Sequence, residues 1–324
     1  MENTMSSSQI DSIDSLSLEF DNFDDFNESI RGWSTAFNQV ERGLAKVRLR
    51  HRMTPQINAL DVSFTHSTAS YGSTQPGHRT FGMVDLVPGC SWCRHDVNEN
   101  HILRFDSHDE FETYTPSGFI GRTLSVDEAL LEEIADHFQF NNFLKRLDNS
   151  REFLTVDPLA AIRFRHHYDE AHRTEQSLRT IVEQLLILVE TQGIEGGSQR
   201  QKNSSRLVDD ALNYIVETSQ HAPTVADICS HLGVGYKALD RAFKSRLGYG
   251  PKSSILAFRL NRVRAELRSS GANEKIVDIA NRWGFWHQGD LARIYRQEFG
   301  ELPRDTQRDS VNLGFDRTMA EHRL

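Results

Sequence analysis

Two segments in the C-terminal half of the chain carry one pattern. Val225-Ala-Asp-Ile-Cys-Ser-His-Leu-Gly233 and Ile276-Val-Asp-Ile-Ala-Asn-Arg-Trp-Gly284 match Asp227 to Asp278, Ile228 to Ile279 and Gly233 to Gly284 at an offset of 51. Beyond the glycine, Leu239, Arg241, Phe243, Lys244, Leu247, Gly248 and Pro251 match Leu291, Arg293, Tyr295, Arg296, Phe299, Gly300 and Pro303 at an offset of 52, so the second turn is one residue longer. An internal repeat of this kind restricts the fold severely, because each copy must be one small supersecondary unit that buries its apolar face against neighbours.

Each copy has the layout of a helix-turn-helix: a short apolar helix ends at a glycine able to take positive φ, a turn follows, and a second helix begins. Thr224 and Asp227 suit a capped start, and Gly250-Pro251 opens a long helix, Lys252 to Arg268. Its Ile255, Leu256, Phe258, Leu260, Val263 and Leu267 suffice to pack against both copies, so the two units are expected to move as one body. On the first candidate recognition helix Leu239, Ala242, Phe243 and Leu247 point inward, while Tyr236, Lys237, Asp240, Arg241 and Lys244 share the outer face. The equivalent face of the second copy holds Gln288, Gly289, Ala292, Arg293 and Arg296, two of them too small to reach a base edge. Direct readout of DNA is therefore expected to rest more on Lys237 and Arg241, with Gln288, Arg293 and Arg296 contributing from the second copy. The whole chain carries −9, but residues 205–310 carry +3 and the remainder −12.

The run from Gly284-Phe-Trp-His-Gln-Gly-Asp-Leu-Ala-Arg to Phe299-Gly300-Glu-Leu-Pro303, preceded by Ile276-Val-Asp-Ile-Ala and by the first copy, resembles the signature of the AraC/XylS family of transcription regulators. The resemblance spans about 206–308. It implies seven helices, two recognition helices in successive major grooves on one face of double-stranded DNA, and control of promoters, most often activation through RNA polymerase. It also implies an N-terminal effector or dimerisation domain, often cupin-like, and hence a homodimer responsive to a small molecule or, alternatively, to a protein partner. Three positions depart from the family's usual small polar turn residues: Gly235, Trp286 and Gly289.

The first half reads differently. From about 40 to 126 the hydrophobic period is two, as in Val47-Arg-Leu49, Val62-Ser-Phe64 and Ile120 to Val126, with turns at Thr54-Pro55, Gln75-Pro-Gly77, Pro88-Gly89 and Pro116-Ser-Gly118. At Ser125 the period becomes helical, through Leu130, Leu131, Ile134, Ala135 and Phe138, and Asp157-Pro158 starts another helix. From Glu175, the stripe Leu178, Ile181, Val182, Leu185, Leu186 and Val189 suits either intradomain core or a dimer seam, and the resemblance favours the seam. The fold class expected is α+β: a cupin-like β-sandwich or barrel followed by helices, then an all-α domain with two helix-turn-helix motifs joined by a long helix. The expected division is an acidic disordered tail 1–30, an effector and dimerisation domain 31–192, a flexible linker 193–205, a DNA-binding domain 206–310 and a tail 311–324. The first of these holds eight acids and no Lys or Arg.

Other chemistry is less well supported. The start lacks both a secretory signal and an Arg-rich transit pattern, and the most continuous apolar stretch, Leu185 to Val189, is far shorter than the ~20 residues of a membrane span, so a cytoplasmic location is expected. Cys90-Ser-Trp-Cys93, with His95, His101 and His108, is one CxxC without a second and on paired strands would scatter. A metal-dependent cupin enzyme is the rival class, but His66, His78, His95, His101 and His108 lack a tight His-x-His spacing. A methyl-transferring DNA-repair protein would need reactive cysteines with metal ligands that three cysteines hardly provide. No cofactor, metal site or catalytic residue is expected.

Overall fold

Strand formation in the first half follows the alternation: Val47 and Leu49 turn inward while Arg48 and Arg50 turn out, and Arg52, on the face of Arg48 and Arg50, is buried with its guanidinium 4.9 Å from the centre of the Tyr168 ring. The computed structural model describes residues 14–30, 33–85, 88–105, 111–148, 153–170, 175–192, 194–195, 203–218, 223–270 and 274–308. The chain begins with β1 (Asp14–Phe20), α1 (Phe23–Ser29), β2 (Ser34–Gln39), β3 (Val47–Met53), β4 (Ile57–Phe64), β5 (Thr68–Ser73) and β6 (His78–Val84). Then come β7 (Ser91–Trp92), β8 (His95–Asp96), β9 (His101–Phe105), β10 (Phe111–Thr115) and β11 (Phe119–Asp127). Helices take over with α2 (Glu128–His137), α3 (Phe143–Asp148), a short β12 (Phe153–Thr155), α4 (Pro158–Glu170), α5 (Glu175–Gln192) and β13 (Ile194–Glu195). The rest is helical: α6 (Asn203–Glu217), α7 (Val225–Leu232), α8 (Tyr236–Leu247), α9 (Pro251–Ser270), α10 (Ile276–Arg282) and α11 (Gln288–Phe299).

The strands form two antiparallel sheets, one in the order β1-β3-β4-β11-β6-β9-β12-β13 and the other β2-β5-β10-β7-β8. Between them lies an aromatic core that includes Phe64, Trp92, Phe105, Phe111 and Phe119. The other face of the large sheet, with Ile57, Phe81, Leu124 and Val126, is covered by α2 to α5. The strands-then-helices layout is thus as the change of period predicts.

Two expectations are corrected. Residues 14–30 are not a tail: β1 pairs with β3 over its length, and Phe23 and Phe26 of α1 are buried in the aromatic core. Two of the acids that suggested a solvated leader have partners: Glu19 accepts from Arg48 at 3.1 Å and lies 3.5 Å from Lys46, while Asp25 pairs with Arg268. Residues 1–13 lie outside the described residues. The α5 stripe is intradomain core and not a seam: Leu178, Ile181, Val182, Leu185, Leu186 and Val189 are all buried against the large sheet, whose apolar outer face needs that cover. Of the expected linker, Ile194 and Glu195 pair with β12, residues 203–205 belong to α6, and 193 and 196–202 lie outside the described residues, as does the expected tail 311–324.

The helical domain is docked on the smaller sheet. Val40, Ala69 and Tyr114 complete its hydrophobic core. Asp209 of α6 accepts from Arg246 of α8 at 2.6 Å and from Ser91 at 3.3 Å, and the Arg246 guanidinium lies 5.0 Å from the centre of the Tyr114 ring. Glu298 of α11, 2% exposed, accepts from the Gly43 backbone N–H at 2.7 Å and from Arg42 Nε at 2.8 Å. At the far end α1 lies on α9, and burial raises the Asp24 carboxyl to about 6 even though Arg268, Arg264 and Arg262 oppose the shift, with Asp25 adding to it.

Truncating Phe26 to Ala should cost roughly 3–5 kcal/mol in urea unfolding, the range for a buried Phe, whereas a solvated tail would give almost nothing. A raised carboxyl favours the fold when protonated, so the Asp24 contribution is complete near pH 4 and is lost as pH rises through about 6. Asp24→Asn should therefore unfold at higher temperature than the parent at pH 7.5, with the difference gone by about pH 4.

Candidate nucleic-acid interface

The first unit begins with a reciprocal cap. The Thr224 hydroxyl oxygen accepts from Asp227 N at 3.2 Å, and the Asp227 carboxylate accepts from the Thr224 hydroxyl at 2.6 Å and from the Thr224 backbone N–H at 2.8 Å, two bonds that hold that carboxyl below its usual range. Helix α7 stops at Gly233 with φ +64°, a backbone that a Cβ disfavours, and Val234 N then donates to Cys229 O at 3.0 Å. Cys229 packs as a half-buried core residue. In the second unit α10 ends at Trp283, with Gly284 at φ +77°, and Gly248 and Gly300 close α8 and α11 in the same left-handed conformation.

The inner faces are shared. Leu239, Ala242 and Phe243 of α8, Leu291, Tyr295 and Phe299 of α11, and Ile255, Phe258, Leu260, Val263 and Leu267 of α9 belong to one buried cluster. Helix α9, at 1.5 Å per residue, runs roughly 30 Å between the units. Trp283 anchors the second unit to it, donating from Nε1 to Glu266 at 2.8 Å with its ring edge-to-face on Phe258. Missed by pattern reasoning is α6, whose Val208, Ala211, Leu212, Ile215 and Val216 fill the side of the cluster next to α7 and α8. Their helical spacing was legible, but nothing in them speaks of nucleic acid.

The outer faces carry the predicted residues. Tyr236, Lys237, Asp240, Arg241 and Lys244 line one open groove along α8. Lys244 is committed to Asp240 at 2.8 Å, a contact that raises the lysine's affinity for its proton. Lys237 and Arg241 are exposed and have no ion-pair partner among the described residues. On α11, Gln288, Arg293 and Arg296 are exposed, and Arg293 lies 3.6 Å from Asp290. Neither recognition helix has a side-chain N-cap, since Gly235 and His287 occupy those positions without a capping hydrogen bond. Trp286, just before α11, is 72% exposed. The cysteine and histidine cluster does not assemble: Cys90 is buried, its thiol pushed up to about 12, His95 and His101 pack on Phe153, and His108 lies outside the described residues. Among the described residues no group of three or more His, Cys, Asp or Glu is placed to hold a metal ion.

Residues 228–309 match the family model of a helix-turn-helix domain. The regulatory protein HrpB of Ralstonia nicotianae is 37% identical over 98 residues, 30% of this chain and 20% of that protein. A XylDLEGF operon transcriptional activator of Pseudomonas putida is 41% identical over 73 residues, 22% of this chain and 23% of its own. The transcriptional activator RhaS of Citrobacter koseri is 25% identical over 218 residues, 60% of this chain and 78% of that protein. Among solved structures, a probable AraC family regulator from Rhodopseudomonas palustris is 25% identical over 32% of this chain and 96% of its own, with a TM-score of 0.30. ToxT from Vibrio cholerae is 10% identical over 91% of this chain and 98% of its own, with a TM-score of 0.28. The chain spans only 20% and 29% of the length of two of the curated relatives it matches, HrpB and a probable thc operon regulator of Rhodococcus erythropolis. Residues 228–309 form a helix-turn-helix domain, and the relatives that match this chain are named as transcription regulators and activators.

Replacing Thr224 by Ala removes the hydroxyl half of the α7 cap and should lower the unfolding free energy by about 1 kcal/mol, read by urea titration.

Proposed function

We propose that this chain is a sequence-specific DNA-binding transcription regulator, acting as an activator, that reads two successive major grooves with α8 and α11. The observation carrying this reading is the pair of helix-turn-helix units on one shared core, with Lys237 and Arg241 exposed along the groove of α8 and without an ion-pair partner among the described residues. Tyr236, Lys237, Arg241, Gln288, Arg293 and Arg296 are the contact residues, Lys237 and Arg241 reaching guanine or phosphate and Gln288 a base. Asp240 and Lys244 act as a pair, the acid orienting the lysine beside the groove. The β-rich domain senses a small effector and the helical domain, 206–310, reads DNA. A homodimer on its operator and contact with RNA polymerase complete the proposal, and no catalytic step is assigned. No described helix is long and apolar enough to cross a membrane.

The test is a footprint of the full chain on the DNA upstream of its own gene at two salt concentrations. Two protected major-groove segments about one helical turn apart, weakened by salt, are expected, since each phosphate contact releases counterions. Absence of both specific and nonspecific DNA binding would overturn the reading. Arg241→Ala should weaken specific binding by roughly 1–3 kcal/mol and relax preference at one base position, whereas Arg296→Ala should weaken binding with less change of preference.

A further inference from the structure

Among the described residues of the C-terminal domain, two large hydrophobic side chains stand out into solvent: Tyr236 at 48% exposure and Trp286 at 72%. They occupy corresponding places. Tyr236 is the first residue of α8, and Trp286 lies two residues before the start of α11. A single exposed ring would need no explanation, but rings at the same end of both reading helices do. Trp286 cannot fold back onto the core, because its neighbour Phe285 already packs against the buried cluster. That turn is fixed on both sides: Phe285 N donates to Ala280 O at 2.9 Å, and Leu291 N to His287 O at 3.1 Å. Every residue from Trp286 to Asp290 is exposed, so the indole is continuous with the outer face of α11.

The rest of that face is poorly supplied with long or cationic side chains. Gly289 and Ala292 leave its middle shallow, and a Cβ added to Gly289 would meet no heavy atom within 4 Å, so a partner surface can come close there. Asp290 lies 3.6 Å from Arg293 and offsets part of its charge. Gln288 and Arg296 complete the face. The first unit is built the other way round: it carries Lys237 and Arg241, and Gly235 stands where the offset of 51 places Trp286. What the second unit lacks in charge it has in one large apolar ring. A helix in the major groove turns its N-terminal residues to the base edges, and the apolar group on those edges is the thymine methyl.

Resting on the DNA-reading role proposed above, we infer that Trp286 determines sequence preference in the second unit, its indole packing on a thymine methyl in the groove that α11 enters. The contact favours thymine over cytosine at that position, because cytosine carries no methyl and offers an amino donor that an apolar ring leaves unpaired. Burying a ring against a methyl releases no counterions, so this part of the affinity does not depend on salt, whereas the parts due to Arg293 and Arg296 do. The two units therefore read DNA by different chemistry, the first through cationic side chains and the second through an apolar one.

The experiment titrates the full chain, the parent and Trp286→Ala, on the footprinted upstream DNA and on copies in which the thymines of one protected segment are replaced by deoxyuridine. Deoxyuridine keeps the base pair and removes only the methyl. Replacement in one of the two segments should weaken the parent about fourfold, the worth of one buried methyl, and leave Trp286→Ala unaffected. Trp286→Ala should bind the unmodified site roughly tenfold more weakly, with an unchanged circular dichroism spectrum and an unchanged slope of log K against log salt. Arg296→Ala should instead reduce that slope by about 0.9. Trp286→Phe, which keeps a ring, should retain the dependence on thymine. Indifference of the parent to deoxyuridine in both segments, the same deoxyuridine penalty in Trp286→Ala, or unchanged DNA affinity in Trp286→Ala would each overturn the inference. Unchanged DNA affinity with loss of reporter transcription would assign the ring to a protein partner. The two readings fail separately: a footprint that ignores Trp286 defeats this inference alone, while absence of all DNA binding by the parent defeats the regulator reading on which it rests.

Discussion

One hydrophobic cluster holds the C-terminal domain together, and α9 runs through the middle of it. Phe258 meets Trp283 of the second unit, while Ile255 and Leu260 share the cluster with Phe243 of the first. Because interiors are close-packed, neither unit can rotate without opening a void around α9, so the two recognition helices keep one relation to each other. A double reader of DNA requires this, since successive grooves present themselves at a fixed spacing. The basic outer faces are consequences of that core: α8 and α11 can show charge to solvent because their opposite faces are fully committed.

The same core extends into the β-rich domain, and the join is made with buried charge. Arg246 lies between Asp209 and the Tyr114 ring, and Glu298 receives Arg42 and the Gly43 amide. Such groups do not favour association merely by being paired, because desolvation offsets much of their attraction. They do penalise wrong arrangements, since Glu298 shifted away from Gly43 would be a buried carboxylate without its donors. At their C-terminal turns α8 is thereby tied to the smaller sheet and α11 to the loop between β2 and β3, and their outer faces stay exposed. Helix α1 forms a third link, with Phe26 in the aromatic core and Asp25 on Arg268 of α9.

Much of this was legible in the chain. The repeat, the glycines at the ends of α7, α8 and α11, and the Thr224–Asp227 cap are local features, set by a few neighbouring residues and a backbone conformation that only certain side chains accept. The alternation of β3, β4 and β11 was equally plain. What misled was context: Leu16, Leu18 and Phe20 alternate as a strand does, yet the acids among them suggest a solvated leader until the basic β3 is seen beside them. The α5 stripe looks the same whether it faces a sheet or a second copy of the chain. Its burial against Leu124 and Val126 depends on strands more than fifty residues away.

The sequence by itself determined the two helix-turn-helix units, their connection through one long helix and the residues on their outer faces, because helical periodicity and turn chemistry act over a few residues. Only the tertiary structure decided that Lys244 is held by Asp240 while Lys237 and Arg241 have no ion-pair partner among the described residues, and that the head is fastened to the β-rich domain through Asp209 and Glu298. Pairing and burial of a charge or hydroxyl depend on what distant segments bring within hydrogen-bond distance, and no local pattern carries that information.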